Sequence, residues 1–340
     1  MLRLRQIGGK MKKLIICIAS LLLSASCFSC EKKQNDKLSI VTTCFPPYDF
    51  ARAVAGDSAD IKMLLSSGAD AHSYEPAPMD IAAIQNCDVF ICIGNEDEVW
   101  VDRILDSIDT SGIKIVRLID HVNLLEEEPV AGASPDGHDH HHHEHEHEHE
   151  HEHEHDEQND SVSVEHADGH IWTSPSNAIL CLESVKDALC ETVPDSSSLY
   201  MNNYDNYCKK LTDLDTQLLE LMNNAERNEI VIADRFPFRY LAHDYGIEYF
   251  AAFSGCSSES EPSVYTMAFL MDEIKEHDMD YVFTLEFSTK KLAEKLCTAT
   301  GAEMLTLHSC HNVSKSDFKN GVTYVELMQN NISSLKEALC

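Results

Sequence analysis

The sequence predicts an α/β protein of two lobes, each with a mainly parallel four-stranded sheet, joined by one long rigid helix. Two observations carry this. Short, near-continuous apolar runs alternate with helical patterns in two separate series, and such alternation marks parallel sheets covered on both faces. Between the series lies a single unbroken helical stripe. A length of 340 residues, 43% of them hydrophobic, is enough for two such units.

The first 30 residues stand apart from the fold. Arg3, Arg5, Lys10, Lys12 and Lys13 form a basic segment, and Leu14 to Leu23 form an apolar one too short to span a bilayer comfortably. Met11 is as good a start as Met1. Ser24, Ala25 and Ser26 precede Cys27, with Cys30 three residues on. This pattern resembles a bacterial lipoprotein signal, which implies lipidation at Cys27 or Cys30; a plain secretory signal is the alternative. Residues 31–37 read as a polar tether.

The first lobe is expected over 38–193. Strands are predicted at 38–44, 61–65, 88–94 and 113–119, with helices near 47–55, 78–86 and 97–109. Residues 126–165 interrupt the order. The linking helix is expected within 194–226, where Tyr200, Tyr204, Tyr207, Leu211, Leu214, Leu218 and Leu221 step by 4 and 3 along one face. About 25 residues at 1.5 Å each would span about 37 Å, enough to run beside both lobes. The second lobe, 227–340, has strands at 229–234, 247–253, 281–287 and 303–309. Its helices fall near 236–245, 262–277, 289–299 and 322–339.

The interruption at 126–165 holds a run of histidine and glutamate. His138, His140, His141, His142, His143, His145, His147, His149, His151, His153 and His155 are 11 of the chain's 19 histidines. Neutral imidazole is the commonest ligand for zinc and its neighbours, and an uninterrupted polar run cannot bury itself. The expected role is a disordered metal-loading loop. A formal charge of −32 argues against nucleic-acid partners, whose phosphates demand a basic surface. Thirteen cysteines in an exported chain could form disulfides, but an odd count leaves one free. Cys44, Cys87, Cys92, Cys181, Cys190 and Cys297 sit in apolar segments and read as small core residues.

In open parallel sheets, ligands bind outside the carboxyl ends of strands. The residues there are His72 in the turn after 61–65, Asp234 after 229–233, Glu286 at 281–287, and His308 with His311 after 303–309. His170 precedes the helix starting near Ser176. These candidates lie at corresponding edges of both lobes, so the cleft between them is the expected metal site. His243 reads as a surface residue.

At these residues the chain resembles the solute-binding lipoproteins of zinc and manganese ABC importers, the cluster A-I or ZnuA-like receptors. The similarity spans about residues 38 to 339. GADAHSYEP resembles that family's first ligand motif, which makes His72 a ligand; HIWTSPSNA resembles the second, giving His170. YLAHDYGIEY and SSESEPS resemble its second-lobe segments. The second lobe departs from the pattern. In ADRFPFRYLAHDYG, Arg235 falls where the family usually has a ligand histidine and sometimes a glutamate, so Asp234 is preferred, with helix capping as its alternative role. The family's final ligand is usually Asp; TLHSCHN offers His308 first and His311 second, with Glu286 less favoured.

The resemblance implies an extracytoplasmic receptor. It would capture Zn2+ in the interlobe cleft and deliver it to an ABC permease and its ATPase, as a monomer held to the membrane by its lipid. Manganese is the alternative cargo, but it prefers more oxygen ligands than three histidines and a carboxylate supply. Cell adhesion is a further role within the family. An exported zinc hydrolase finds little support: GxSxG does not occur, and HExxH spacing arises only inside the His/Glu alternation of 143–155, which lacks the apolar pattern of a helix. A metal buffer using the loop alone would not need two lobes.

Overall fold

The computed structural model describes residues 37–95, 98–130, 162–255 and 262–340. The expected signal, Cys27 and Cys30, and the histidines from His138 to His155 lie outside these residues. Two four-stranded sheets are present, all strands parallel within each. The first contains β1 (Leu38–Thr42), β2 (Ala59–Met63), β3 (Val89–Cys92) and β4 (Lys114–Arg117), in the order β2-β1-β3-β4. The second contains β5 (Glu229–Phe236), β6 (Glu248–Ser254), β7 (Tyr281–Leu285) and β8 (Glu303–Leu307), in the order β6-β5-β7-β8. The two orders are equivalent, so each lobe presents the carboxyl ends of its strands in the same way.

Most predicted strands run two residues too far. Ile93, Gly94, Glu286, Phe287, His308 and Ser309 leave the ladder, although their apolar neighbours continue the pattern. The edge strand β2 instead begins earlier, at Ala59. Its burial alternates, so the continuous apolar signal of a central strand is missing there. β3 is buried throughout.

The helices are α1 (Phe45–Ala55), α2 (Pro78–Gln85), α3 (Val99–Leu105), α4 (Pro175–Thr192), α5 (Ser197–Asn224), α6 (Arg239–Tyr245), α7 (Val264–Glu276), α8 (Lys291–Thr300), α9 (Lys315–Asn320) and α10 (Tyr324–Leu339). Prolines open α1, α2 and α4, where the missing N–H costs nothing. Thr323 and Glu326 form a capping box that starts α10. α5 is the long helix: its 28 residues span about 42 Å. Tyr200, Tyr207, Leu211, Leu214, Leu218 and Leu221 of its stripe are buried. Tyr204 is half-buried under the Lys186 ammonium, 4.7 Å from its ring centre.

One hydrophobic core runs through both lobes. Ile40 and Ile91 of the first sheet, Leu211 and Leu218 of α5, and Ile232, Phe283 and Leu307 of the second all belong to it. Cys44, Cys87, Cys92 and Cys181 are buried, Cys190 and Cys297 partly so, and no disulfide occurs among the described residues. At the base of the His-rich insertion, Glu126 and Ala167 form an antiparallel bridge.

A buried carboxylate ties the two ends of the chain to α5. Asp49 of α1 is fully buried and accepts hydrogen bonds from the Arg52 guanidinium, the Tyr207 hydroxyl and, at 2.8 Å, the Tyr324 backbone amide. Arg52 also donates to the Val322 carbonyl. Burial, followed by the Asp49 charge, pushes the Tyr207 phenol well above its usual range, so it remains a donor. Asp49→Ala should therefore cost about 3–5 kcal/mol, because the partners are left buried and unpaired. Urea unfolding checks this, and a loss under 1 kcal/mol would show the network to be incidental.

Candidate metal centre

The cleft lies where the carboxyl ends of the two sheets meet. Its volume is about 280 Å3, and His170, Asp234, Arg235, Glu286 and His311 are among the residues that line it. Gly68 to Ala71, the turn leading into His72, form part of the same wall. The backbone of His72 lies in a short 3-10 turn, Ala71–Ser73.

His170 sits just ahead of a 3-10 turn, Ile171–Thr173, and is buried. Asp168 holds it: one carboxylate oxygen accepts from the His170 amide at 2.7 Å and lies 3.0 Å from Nδ1. A proton on Nδ1 facing that oxygen leaves Nε2 as the lone-pair donor, the arrangement that orients a metal-binding imidazole. Tyr240 fixes the Asp168 carbonyl at 3.0 Å. Two glycines permit the close packing. A Cβ on Gly169 would fall 1.9 Å from the Asn95 side chain, and one on Gly255 would lie 2.9 Å from the Phe236 carbonyl and 3.4 Å from the His170 ring.

His311 faces His170 edge-on, with ring centres 5.6 Å apart, and packs on Trp172 at 4.8 Å. Its loop is built by a left-handed residue, Cys310, at φ 60°. Such a conformation is uncommon for a residue with a Cβ and tends to mark functional loops. Here it reverses the chain so that residues 308 and 311 point differently. His308 turns inward. Its Nδ1 accepts the Cys310 amide at 2.9 Å, and Asn331 brackets its backbone at 2.7 and 2.8 Å. That lone pair braces the turn, and His308 is not among the cleft-lining residues.

The loop is clamped to the first lobe. Trp172 Nε1 donates to the Ser309 carbonyl at 2.8 Å, the Phe45 amide to the His311 carbonyl at 3.2 Å, and Asn312 to the carbonyls of Ser66 and Ala69. Glu286 braces it from the second lobe, with one oxygen accepting from Ser309 Oγ at 2.6 Å and the other from its amide at 3.0 Å.

Asp234 lies inside β5, at a register irregularity between Ile232 and Arg235. A bulge of this kind re-aims side chains. Its Oδ1 accepts the Arg235 amide at 2.9 Å. It does not cap α6, whose N-cap is Phe238. Arg235 Nη2 pairs across the cleft with Asp70 at 3.4 Å. His243 is exposed on α6. Among the described residues, no three His, Cys, Asp or Glu side chains already converge as a metal cage.

Sequence alone leaves Asp168 unassigned. A carboxylate two residues before a candidate ligand histidine was the available signal. Nothing in the sequence marks the Trp172, Asn312 or Phe45 clamps, which depend on contacts between distant segments.

A cleft between two like-ordered parallel sheets, with imidazoles on facing loops, is the architecture of a small-ligand receptor. The chain belongs to the family described as "Zinc-uptake complex component A periplasmic" (ZnuA), whose pattern it matches over residues 40–338. It is 32% identical over 333 residues to the zinc-binding lipoprotein AdcA of Streptococcus pneumoniae R6, covering 96% of this chain but 61% of AdcA. The chain thus spans about three-fifths of that relative. It is 32% identical over 339 residues to the high-affinity zinc uptake system protein ZnuA of Bacillus subtilis 168, covering 97% of this chain and 98% of that protein. The Zn(II)-bound ZnuA-like domain of Streptococcus pneumoniae AdcA superposes with a TM-score of 0.69 at 29% identity, covering 89% and 99% of the two chains.

Burial lowers the His308 pKa below its usual 6.5, only partly offset by Glu286. A depressed folded-state value means that the neutral ring favours folding. That stability is present above about pH 6.5 and is lost as pH falls from there through the folded-state value. His308→Asn keeps an acceptor for Cys310 without a titrating ring. Metal-free melting curves should therefore be flatter for the variant than for wild type between pH 7 and 5; parallel profiles would count against a titrating His308.

Proposed function

We propose that this protein is the extracytoplasmic receptor of a zinc ABC importer: it binds Zn2+ in the cleft and passes it to a membrane permease driven by an ATPase. The observation that carries this is the Asp168-oriented His170 facing His311 across one cleft, in a chain related to zinc-binding and zinc-uptake proteins. His72, His170 and His311 are the nitrogen donors in this proposal. The fourth donor comes from the wall containing Asp234, Arg235 and Glu286. His311 is preferred to His308, whose Nδ1 lone pair is taken by the Cys310 amide. A nitrogen-rich set suits zinc, with bonds of about 2.0–2.2 Å, better than manganese.

The His-rich segment would gather metal ahead of the cleft. Export with lipid attachment at Cys27 or Cys30 would keep the receptor at the outer membrane face. Among the described residues, no helix is long and apolar enough to cross a membrane. The continuous core and the clamped loop favour a monomer that releases metal by a small local rearrangement of its two lobes, 38–193 and 227–340, about the helix within 194–226.

Calorimetric zinc titration tests the site. His170→Ala or His311→Ala should weaken the tightest binding by orders of magnitude, Asp168→Asn by about 10–100-fold, and His308→Ala far less. Affinity should fall steeply below about pH 6.5, as protons compete for the imidazoles. Removing 138–155 should leave one tight site; loss of that site with the segment would overturn the cleft assignment. For attachment, mass spectrometry of the mature N-terminus should find an acylated cysteine, and an unmodified one would rule the anchor out. Small-angle scattering should give nearly superimposable curves with and without zinc, whereas a large compaction would contradict the rigid framework.

A further inference from the structure

His170 belongs to the first lobe, yet a helix of the second lobe grips the segment that carries it. Resting on the zinc-site proposal, we infer that Asp244 of α6 is a positioning residue for zinc binding: it anchors the turn behind His170 and so holds the imidazole where the metal needs it.

Asp244 reaches across to the residues that follow His170. One carboxylate oxygen accepts the Ser174 hydroxyl at 2.5 Å and the Ser176 hydroxyl at 3.1 Å, and the two hydroxyls lie 2.8 Å apart. The other oxygen lies 2.8 Å from Nδ1 of the exposed His243. Ser174 is fully buried. A hydrogen bond from a hydroxyl to a carboxylate is about twice as strong as a neutral one, and burial keeps water from competing for it.

Ser174 does not do what serine usually does at the start of a helix. It is the N-cap of α4, a position where serine is favoured because its oxygen accepts a backbone amide of the first turn. Ser263, Ser314 and Thr323 cap α7, α9 and α10 in that way. Ser174 makes no such bond, and its hydroxyl is directed to the other lobe instead.

The same face of α6 holds the other end of the segment. Tyr240, four residues before Asp244 and so on the same side of the helix, donates to the Asp168 carbonyl at 3.0 Å. Asp168 in turn fixes the His170 amide and ring. Between these anchors His170 has a non-helical backbone, φ −82° and ψ 42°, followed by a single 3-10 turn. Its own backbone lies in no strand or long helix, so the direction of its ring depends on how the ends of the segment are held. Tyr245 ties α6 to α5 by donating to Asp215 at 2.6 Å. α6 follows the cleft-wall strand β5 after only Pro237 and Phe238. The grip therefore joins His170 to the wall of the opposite lobe.

The test uses the full chain, in which the 138–155 histidines are common to all variants. Zinc affinity is measured by competition with a chromophoric chelator. The geometry of the site is read from the visible bands of protein loaded with one equivalent of cobalt(II). D244A should weaken the tightest zinc site about tenfold, the low end of what outer partners of a metal-bound histidine contribute, and should alter the cobalt bands. D244N keeps an acceptor for Ser174 and should recover most of both. S174A should weaken zinc in the same direction, and S174A/D244A no more than D244A alone, because the two residues act through one bond. Melting of the metal-free variants tells positioning from mere structural support. D244A melting lower while keeping wild-type affinity and cobalt bands would overturn the inference, as would additive losses or D244N as weak as D244A. Wild-type affinity in S174A would overturn it whether or not D244A folds. H170A separates this role from the site itself. If H170A binds as tightly as wild type, the zinc-site reading fails; if H170A is weakened and D244A is not, only the role of Asp244 fails.

Discussion

The architecture depends on one buried carboxylate. Asp49 collects donors from three helices, those beginning at Phe45, Ser197 and Tyr324, and so joins the first lobe, the long helix and the end of the second lobe. Removing a carboxylate from water is unfavourable unless its oxygens are hydrogen-bonded or paired. Both oxygens are so occupied here. The Tyr324 hydroxyl continues the chain of contacts to the Trp172 carbonyl at 2.6 Å, and Trp172 Nε1 reaches Ser309. Two lobes that could have been separate bodies are thereby joined from the distal helices to the cleft floor.

This framework decides what the cleft can do. A metal site needs its donors held close to their bonding geometry before the ion arrives. His170 is fixed by Asp168 at both its amide and its ring, while His311 belongs to a loop clamped by both lobes. The two imidazoles therefore meet at a joint that the core already stabilises. Wide opening would break the Trp172, Phe45 and Asn312 contacts together. At the wall containing Arg235 and Asp70, a long ion pair of 3.4 Å reaches across the cleft.

Much of this was legible in the sequence because it follows from period and patterning. Apolar runs bounded by helical patterns gave all eight strands, and the 4-3 spacing from Tyr200 to Leu221 gave the long helix. His170 was singled out because it precedes the helix starting near Ser176, in a segment that resembles a ligand motif. The limits were set by local geometry. TLHSCHN offers two histidines three apart, and choosing between them requires the left-handed Cys310, which no propensity assigns to cysteine. Asp234 looked like a strand-end residue or a cap because the pattern breaks at Arg235; in fact β5 continues to Phe236 through a register shift.

The same contrast explains why an arginine at the cleft edge of the second lobe leaves the fold undisturbed. Arginine at position 235 disturbs no core packing, since it is only partly buried and its neighbours Ala233 and Phe236 are buried. What changes is the charge of the wall. The guanidinium is a fixed cation, which cannot ligate metal and disfavours it at close range. In a cleft that holds a cation the guanidinium charge has to be balanced, and the carboxylates of Asp70, Asp234 and Glu286 line the same wall.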